Sequence, residues 1–146
     1  TSRCQQRPRT TPAMNLYSVR LIVRDIRKLV AFYEAVTALP ARWLNDDFAE
    51  IPTPACTLAL GSERTVRLFA EGAAQPAANH TAILEFLVDD VDAVFAKLDG
   101  LVTEVVQPPT TMPWGNRSLL VRDPEGNLIN LFAPVTEAAK QRFRQP

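Results

Sequence analysis

Two stretches of the chain, LYSVRLIVRDIRKLVAFYEAV and TAILEFLVDDVDAVFAKLDGL, carry one hydrophobic pattern 65 residues apart. In the first, Val19, Leu21 and Val23 alternate with other residues as a half-buried strand requires, and Leu84, Phe86 and Val88 take the same places in the second. An aspartate follows each strand. Asp25 and Asp90 are suited to cap a helix, because a carboxylate accepts hydrogen bonds from the free N–H groups of a first turn. The next apolar positions, Ile26, Leu29, Val30 and Tyr33, recur as Val91, Val94, Phe95 and Leu98, spaced along one helix face. Each half is therefore predicted to open with strand, cap and amphipathic helix.

After each helix the pattern turns to β-type sequence. In the first half ARWLNDDFAEI, CTLALG and TVRLFAE read as three strands, with Pro40, the Pro52/Pro54 pair and Gly61 as breaks. In the second half LVTEVVQ, a proline-rich loop to PWGN, RSLLVRD, the turn Asp123–Asn127 and LINLFAP follow in turn. Gly126 and Asn127 are residue types that tolerate positive φ in such a turn. VRLF at Val66–Phe69 is matched with INLF at Ile129–Phe132 as the last strand of each half. The predicted fold is α+β: two tandem βαβββ modules, residues 14–73 and 81–134, forming a curved, cup-like mixed sheet with helices on the outer face. Residues 74–80 read as a linker and 135–146 as a short C-terminal helix or tail.

Composition narrows the setting. A chain of 146 residues can bury one core and hardly more than one domain. Two cysteines, Cys4 and Cys56, make neither a disulfide framework nor a zinc ligand set, so a reducing cytoplasm is the expected location. Residues 1–13 hold three arginines, no acid and no apolar periodicity, and read as an unstructured leader before Met14. Leaving out Arg3, Arg7 and Arg9 reduces the 16 basic residues to 13 against 16 acidic ones. That mildly acidic remainder argues against nucleic acid as a partner. No apolar run approaches bilayer-spanning length, so no membrane association is expected.

A repeated βαβββ pattern with a valine and an aspartate before the first helix, AFY within it, PWG before the penultimate strand and DPEGNLINLF at the end resembles the vicinal-oxygen-chelate superfamily, the glyoxalase, bleomycin-resistance and dioxygenase group. The resemblance runs from Met14 to Pro134. PWG is similar to the bleomycin-resistance and related antibiotic-binding branch. The resemblance implies paired modules that enclose a site, within one chain or across a homodimer. It also implies, for the metal enzymes of the group, four ligands of His, Gln or Glu type, one from the first and one from the last strand of each module. Those positions fall at Ser18, Ile83, Arg67 and Asn130. Arginine has no lone pair to offer and an isoleucine is an alkyl group, so at most a hydroxyl and an amide remain. No metal and no other cofactor is expected. The single histidine, His80, cannot supply the missing imidazoles in any register and reads as an exposed linker residue.

Strand alternation places Ser18, Arg20, Ile22, Ile83, Glu85 and Leu87 on the concave face, together with Arg67, Phe69, Asn130 and Phe132. Charges on an interior-facing strand either pair with each other or wait for a ligand. Trp114 in PWG offers a flat ring at the rim; Trp43 and Phe48 are the comparable aromatics of the first module, and Trp43 is left to packing or an interface. The candidate ligand contacts are Arg20, Arg67, Glu85, Trp114, Asn130 and Phe132, with no catalytic residue assigned. The leading function is metal-independent binding of a small organic molecule, with antibiotic sequestration as one form. The alternative is a family enzyme, an isomerase, lyase or ring-cleaving enzyme with an atypical site that either uses Glu85 as a base without metal or recruits metal through other groups. A degenerate module serving only as a dimeric partner, with a collapsed cup, is the third.

Overall fold

The computed structural model describes residues 14–144, so the leader expected at 1–13 lies outside the described residues. Two copies of one plan follow each other. β1 (Ser18–Val23), α1 (Ile26–Thr37), β2 (Arg42–Asn45), β3 (Phe48–Pro52) and β4 (Thr57–Ser62) form the first. β5 (Ile83–Leu87), α3 (Val91–Lys97), β6 (Glu104–Thr111), β7 (Asn116–Arg122) and β8 (Leu128–Pro134) form the second. Short helices α2 (Glu63–Val66) and α4 (Glu137–Arg144) come after the fourth strand of each. The strand orders, β1-β4-β3-β2 and β5-β8-β7-β6, are identical, and in each four-stranded mixed sheet the first strand runs parallel to the fourth.

The aspartates cap as their position requires. Lys28 N–H donates to Asp25 Oδ1 and Ala93 N–H to Asp90 Oδ1, each at 3.1 Å. Ile26, Leu29, Val30 and Tyr33 are all buried, joined by Phe32 and Val36. The second helix is shorter and less covered: Val91 and Leu98 are buried but Phe95 is 37% exposed.

Three strand assignments are corrected. ARWLNDDFAEI is a hairpin, β2 and β3, turning at Asp46 and Asp47, where Asp47 N–H donates to Asn45 Oδ1. The proline-rich run belongs to β6, an outer strand in which Pro108 and Pro109 fall within a register shift and owe no N–H to a neighbour. TVRLFAE is not a strand. CTLALG already supplies the fourth strand, and Thr57–Ser62 is buried at every residue because α1 covers one face and α2 rests on the other. The chain then coils: Thr65 Oγ1 donates to the Ser62 carbonyl, and Leu68 N–H and Phe69 N–H donate to the carbonyls of Thr65 and Val66. Thr65 and Val66 are buried as adjacent residues, which a strand with one covered face would not allow. Arg67 and Phe69 thus leave the strand position expected for them.

The two modules share one core. Leu21, Val23, Ala49, Ile51, Leu58 and Leu60 from the first sheet and Leu119, Val121, Ile129 and Leu131 from the second belong to a single buried cluster with Leu29 and Tyr33 of α1. A polar lock fixes their docking. Tyr33 is fully buried and donates its hydroxyl to Asp123 Oδ2 at 2.6 Å. Asp123 also accepts from Glu125 N–H, Asn127 N–H and Asn127 Nδ2, so the DPEGN turn closes around one buried carboxylate. Of the two turn residues, Gly126 takes the positive φ, 85°, and Asn127 contributes its side chain instead. Glu125 reaches back to the first module and accepts from Arg24 N–H and Asp25 N–H.

Burial, and then Asp123, push the Tyr33 hydroxyl far above its ordinary value near 10. A raised pKa in the folded state gives stability that is complete below the unfolded value and is lost as pH climbs past it. Tyr33→Phe removes this donor from a buried carboxylate and should cost about 1–3 kcal/mol in urea unfolding at neutral pH. The native chain should also lose stability above pH about 10 more steeply than the variant does. Equal slopes on alkaline titration of unfolding would refute the role of the hydroxyl.

Candidate functional site

In each sheet the residues that alternate with the core form a second face. On the first sheet these are Ser18, Arg20 and Ile22 of β1, Thr57, Ala59 and Gly61 of β4, and Phe48 and Glu50 of β3, as the register pairs show. On the second they are Ile83, Glu85 and Leu87 of β5, Leu128, Asn130 and Phe132 of β8, and Asn116, Ser118 and Leu120 of β7.

Arg20 is the central charge of the first face. Its guanidinium carbon stands 4.4 Å from the Phe48 ring centroid and 5.2 Å from that of Phe69, a sandwich between two aromatic faces. Among the described residues no carboxylate forms an ion pair with it. The segment after β4 builds this arrangement, because α2 packs on Gly61 and brings Phe69 back over β1. A Cβ on Gly61 would lie 2.8 Å from Thr65 Oγ1, so glycine is what lets α2 sit so close. Phe48 and Phe69 therefore act through Arg20, a pairing that no spacing in the sequence announces.

On the second face Asn130 Nδ2 donates to Glu85 Oε2 at 2.8 Å, and Asn130 Oδ1 is buried without a partner. Phe132 packs against Phe143 of α4, with ring centroids 5.6 Å apart. Ile83 and Leu87 remain 47% and 59% exposed. The structure thus brings Glu85, Asn130 and Phe132 together on one sheet and leaves Arg20 on the other. Arg67 is off both sheets. It lines an open cavity of about 300 Å³ at the end of β1, with Arg24, Glu63, Val66, Glu71 and Pro76. Arg24 was not among the candidates, although its strand parity is that of Arg20. A second cavity of about 320 Å³ lies beside Trp43, Leu44 and Arg27, and neither cavity has a wall from the second sheet.

Trp114 is 58% exposed on the loop between β6 and β7. Its neighbour Gly115 has a structural reason to be glycine: φ is +94°, and an added Cβ would clash with Thr136 Oγ1. The Gly115 carbonyl accepts from Val135 N–H and Thr136 N–H, so PWG is also the dock for the start of α4. The acids at 89–92 do not converge. Asp90 caps α3, and Asp92 pairs with Arg117, whose guanidinium holds the Asp92 carboxyl below the usual carboxylate range. His80 is exposed in the connecting segment.

With this geometry in view, the comparisons with known proteins are informative. The sequence profile of the glyoxalase/bleomycin resistance protein/dioxygenase superfamily matches residues 15–131. The chain belongs to that superfamily. It is 31% identical over 130 residues to YraH of Bacillus subtilis (strain 168), an uncharacterized protein, covering 82% of this chain and 98% of the relative. Its fold is similar to that of a glyoxalase/bleomycin resistance protein/dioxygenase family enzyme from Burkholderia phytofirmans PsJN, with TM-score 0.74, 19% identity and coverage of 84% of this chain and 100% of the other. A glyoxalase/bleomycin resistance protein/dioxygenase from Nocardioides gives TM-score 0.69 at 21% identity over 88% of both chains.

Superfamily membership makes the four metal-ligand positions the natural test of this chain. Three are Ser18, Ile83 and Asn130. The fourth is corrected by the sheet register: Asn130 pairs with Glu85, Arg20 is the repeat equivalent of Glu85, and the residue paired with Arg20 is Ala59, not Arg67. A hydroxyl, a methyl, an alkyl chain and an amide do not fit a divalent ion, which needs several converging oxygen or imidazole donors. Among the described residues no group of three or more His, Cys, Asp or Glu side chains is placed to hold one.

Gly115→Ala tests the docking of α4. The clash with Thr136 and the left-handed φ should together cost about 1–3 kcal/mol in thermal unfolding. Limited proteolysis should cut the variant early within 137–144, and an unchanged melting curve and cleavage pattern would show that PWG does not hold this helix.

Proposed function

We propose that this chain is a metal-independent binding protein of its superfamily, taking up a small organic molecule on its concave surfaces. Antibiotic sequestration of the bleomycin-resistance kind is one form of that activity, and a reducing cytoplasm is the setting proposed for it. The observation that carries the reading is Arg20, a guanidinium on the concave face with no carboxylate partner among the described residues, oriented by two aromatic rings. With the rings as its neighbours and no carboxylate paired to it among the described residues, the guanidinium keeps N–H donors that match a carboxylate or another planar anion. A cationic ligand fits such a wall poorly, so an acidic or neutral molecule is the better match. Glu85, Asn130 and Phe132 supply an acceptor, an amide and a ring from the second sheet, and Trp114 stands as a further ring at the rim. Arg67 contributes cationic character at the end of β1 but makes no part of the sheet surface.

The test is a titration of the purified chain with a panel of aromatic carboxylates, their neutral amides and glycopeptide-like compounds, followed by tryptophan fluorescence and melting temperature. A saturable response is expected, with acids above amides. Arg20→Ala should weaken it at least about tenfold, close to 1.4 kcal/mol, and Arg20→Lys should recover only part, since an ammonium cannot stack as a plane. No response across the panel, or a response indifferent to Arg20, would refute the proposal.

One observation favours a second reading. Asn130 Nδ2 donates to Glu85 Oε2 and so holds that carboxylate in one orientation on the sheet face, as a positioned general base requires. In that reading the chain is a superfamily enzyme with an atypical site. Chelator-insensitive turnover of a carbonyl substrate, abolished by Glu85→Gln with binding retained, would establish it.

A further inference from the structure

The first module has a cavity that lies apart from both sheet faces. β1 and β4 run parallel, so both end at the same side of the sheet, and the residues that follow each strand wall the cavity there. Arg24 comes from the turn after β1; Glu63, Val66, Arg67, Glu71 and Pro76 come from α2 and the coil behind it. The space is open to solvent and holds about 300 Å³, within the size of small-molecule sites.

Four charges line it, two of each sign, and none belongs to an ion pair within 4 Å among the described residues. Elsewhere on this surface opposite charges that the fold brings together do pair, as in Arg64 with Asp47 and Arg117 with Asp92. Two apolar residues complete the lining, Val66 at 6% exposure and Pro76, which is buried as well. The walls are held through backbone groups, which leaves the charged ends uncommitted. Arg24 N–H donates to both Glu125 carboxylate oxygens at 2.9 Å, tying that wall to the DPEGN turn. On the other side Leu68 N–H and Phe69 N–H donate to the carbonyls of Thr65 and Val66, and Ala73 N–H to that of Ala70 at 3.0 Å. A wall fixed before binding lowers the ordering cost of taking a ligand.

The charge pattern selects the ligand. A simple anion would meet Arg24 and Arg67 but also two carboxylates that repel it, and a simple cation would meet the reverse. A molecule carrying one charge of each sign satisfies both pairs, since guanidinium donors match a carboxylate and the glutamates accept from an ammonium. We propose that this cavity is a second ligand site, distinct from the concave faces, for a small zwitterion with an apolar side chain, an α-amino acid of the leucine type. Arg24 and Arg67 hold its carboxylate, Glu63 and Glu71 its ammonium, and the side chain lies against Val66 and Pro76.

The experiment titrates the isotope-labelled full chain with leucine while two-dimensional amide NMR spectra are recorded, and repeats the titration with leucinamide, N-acetylleucine and inorganic phosphate. Saturable shifts are expected at Arg24 and within 63–76, with leucine bound at least about tenfold more tightly than either derivative, each of which lacks one of the two charges. Arg67→Ala and Glu71→Gln, both at exposed side chains, should each weaken leucine by a similar factor while circular dichroism stays native. Absence of saturable shifts up to the solubility limit of leucine would overturn the proposal. So would N-acetylleucine or phosphate binding as tightly as leucine, which would mark a plain anion patch, or indifference of leucine binding to both variants. Shifts centred on Arg20 and Glu85 instead would place the amino acid on the concave faces and overturn the second site while leaving the first untouched.

Discussion

Everything about how this chain presents its surfaces follows from one buried carboxylate. Asp123 is 3% exposed, sits in the turn between β7 and β8, and accepts hydrogen bonds from its own turn and from the Tyr33 hydroxyl of the other module. A buried carboxylate with a missing donor is costly, so the pairing is either complete or absent. With Glu125 gripping the backbone at the end of β1, it makes the second module's turn a cap for the first module's strand-helix junction. The hydrophobic cluster supplies the bulk of the attraction between the modules, while these directional contacts select one mutual orientation. That orientation puts the core-facing sides of both sheets, with α1, inside and the other face of each sheet outside.

The outside faces then carry the chemistry. In a superfamily whose metal enzymes draw ligands from the first and last strands of each module, this chain has a serine, an alanine, an isoleucine and an asparagine at those places. The charges of this surface stand two residues along each edge strand, at Arg20 and Glu85. The guanidinium is held by π-faces rather than by an acid, and the carboxylate by an amide rather than by a base. Both are oriented without being neutralised, which is the condition of a group that still has a partner to find. The post-strand segments, α2 with Phe69 and α4 with Phe143, complete each face in the same way, a parallel that extends the repeat beyond its strands.

Much of the fold was legible in the sequence, because period-two and helical spacings repeat over 65 residues and each begins with an aspartate cap. The strand-helix openings and the final strand of the second module read correctly for that reason. The last strand of the first module did not. Val66–Phe69 imitates Ile129–Phe132 in letters, but β4 is buried on both faces, so its sequence, TLALGS, shows none of the alternation that marks a half-buried strand. Arg67 was misplaced with it. The Tyr33–Asp123 lock was within reach: a tyrosine on the buried stripe of a helix needs a hydrogen-bond partner, and a turn rich in polar residues is a natural source. The Phe48–Arg20–Phe69 sandwich was not, since three elements meet there through tertiary packing alone.

Calorimetric titration of chelator-treated protein with Mn(II), Ni(II) and Zn(II) tests the replaced ligand set most directly. With a hydroxyl, a methyl, an alkyl chain and an amide at the four positions, no saturable site should appear that responds to Ser18→Ala or Asn130→Ala. A stoichiometric, tightly held ion whose heat of binding disappears in either variant would contradict a metal-free cup.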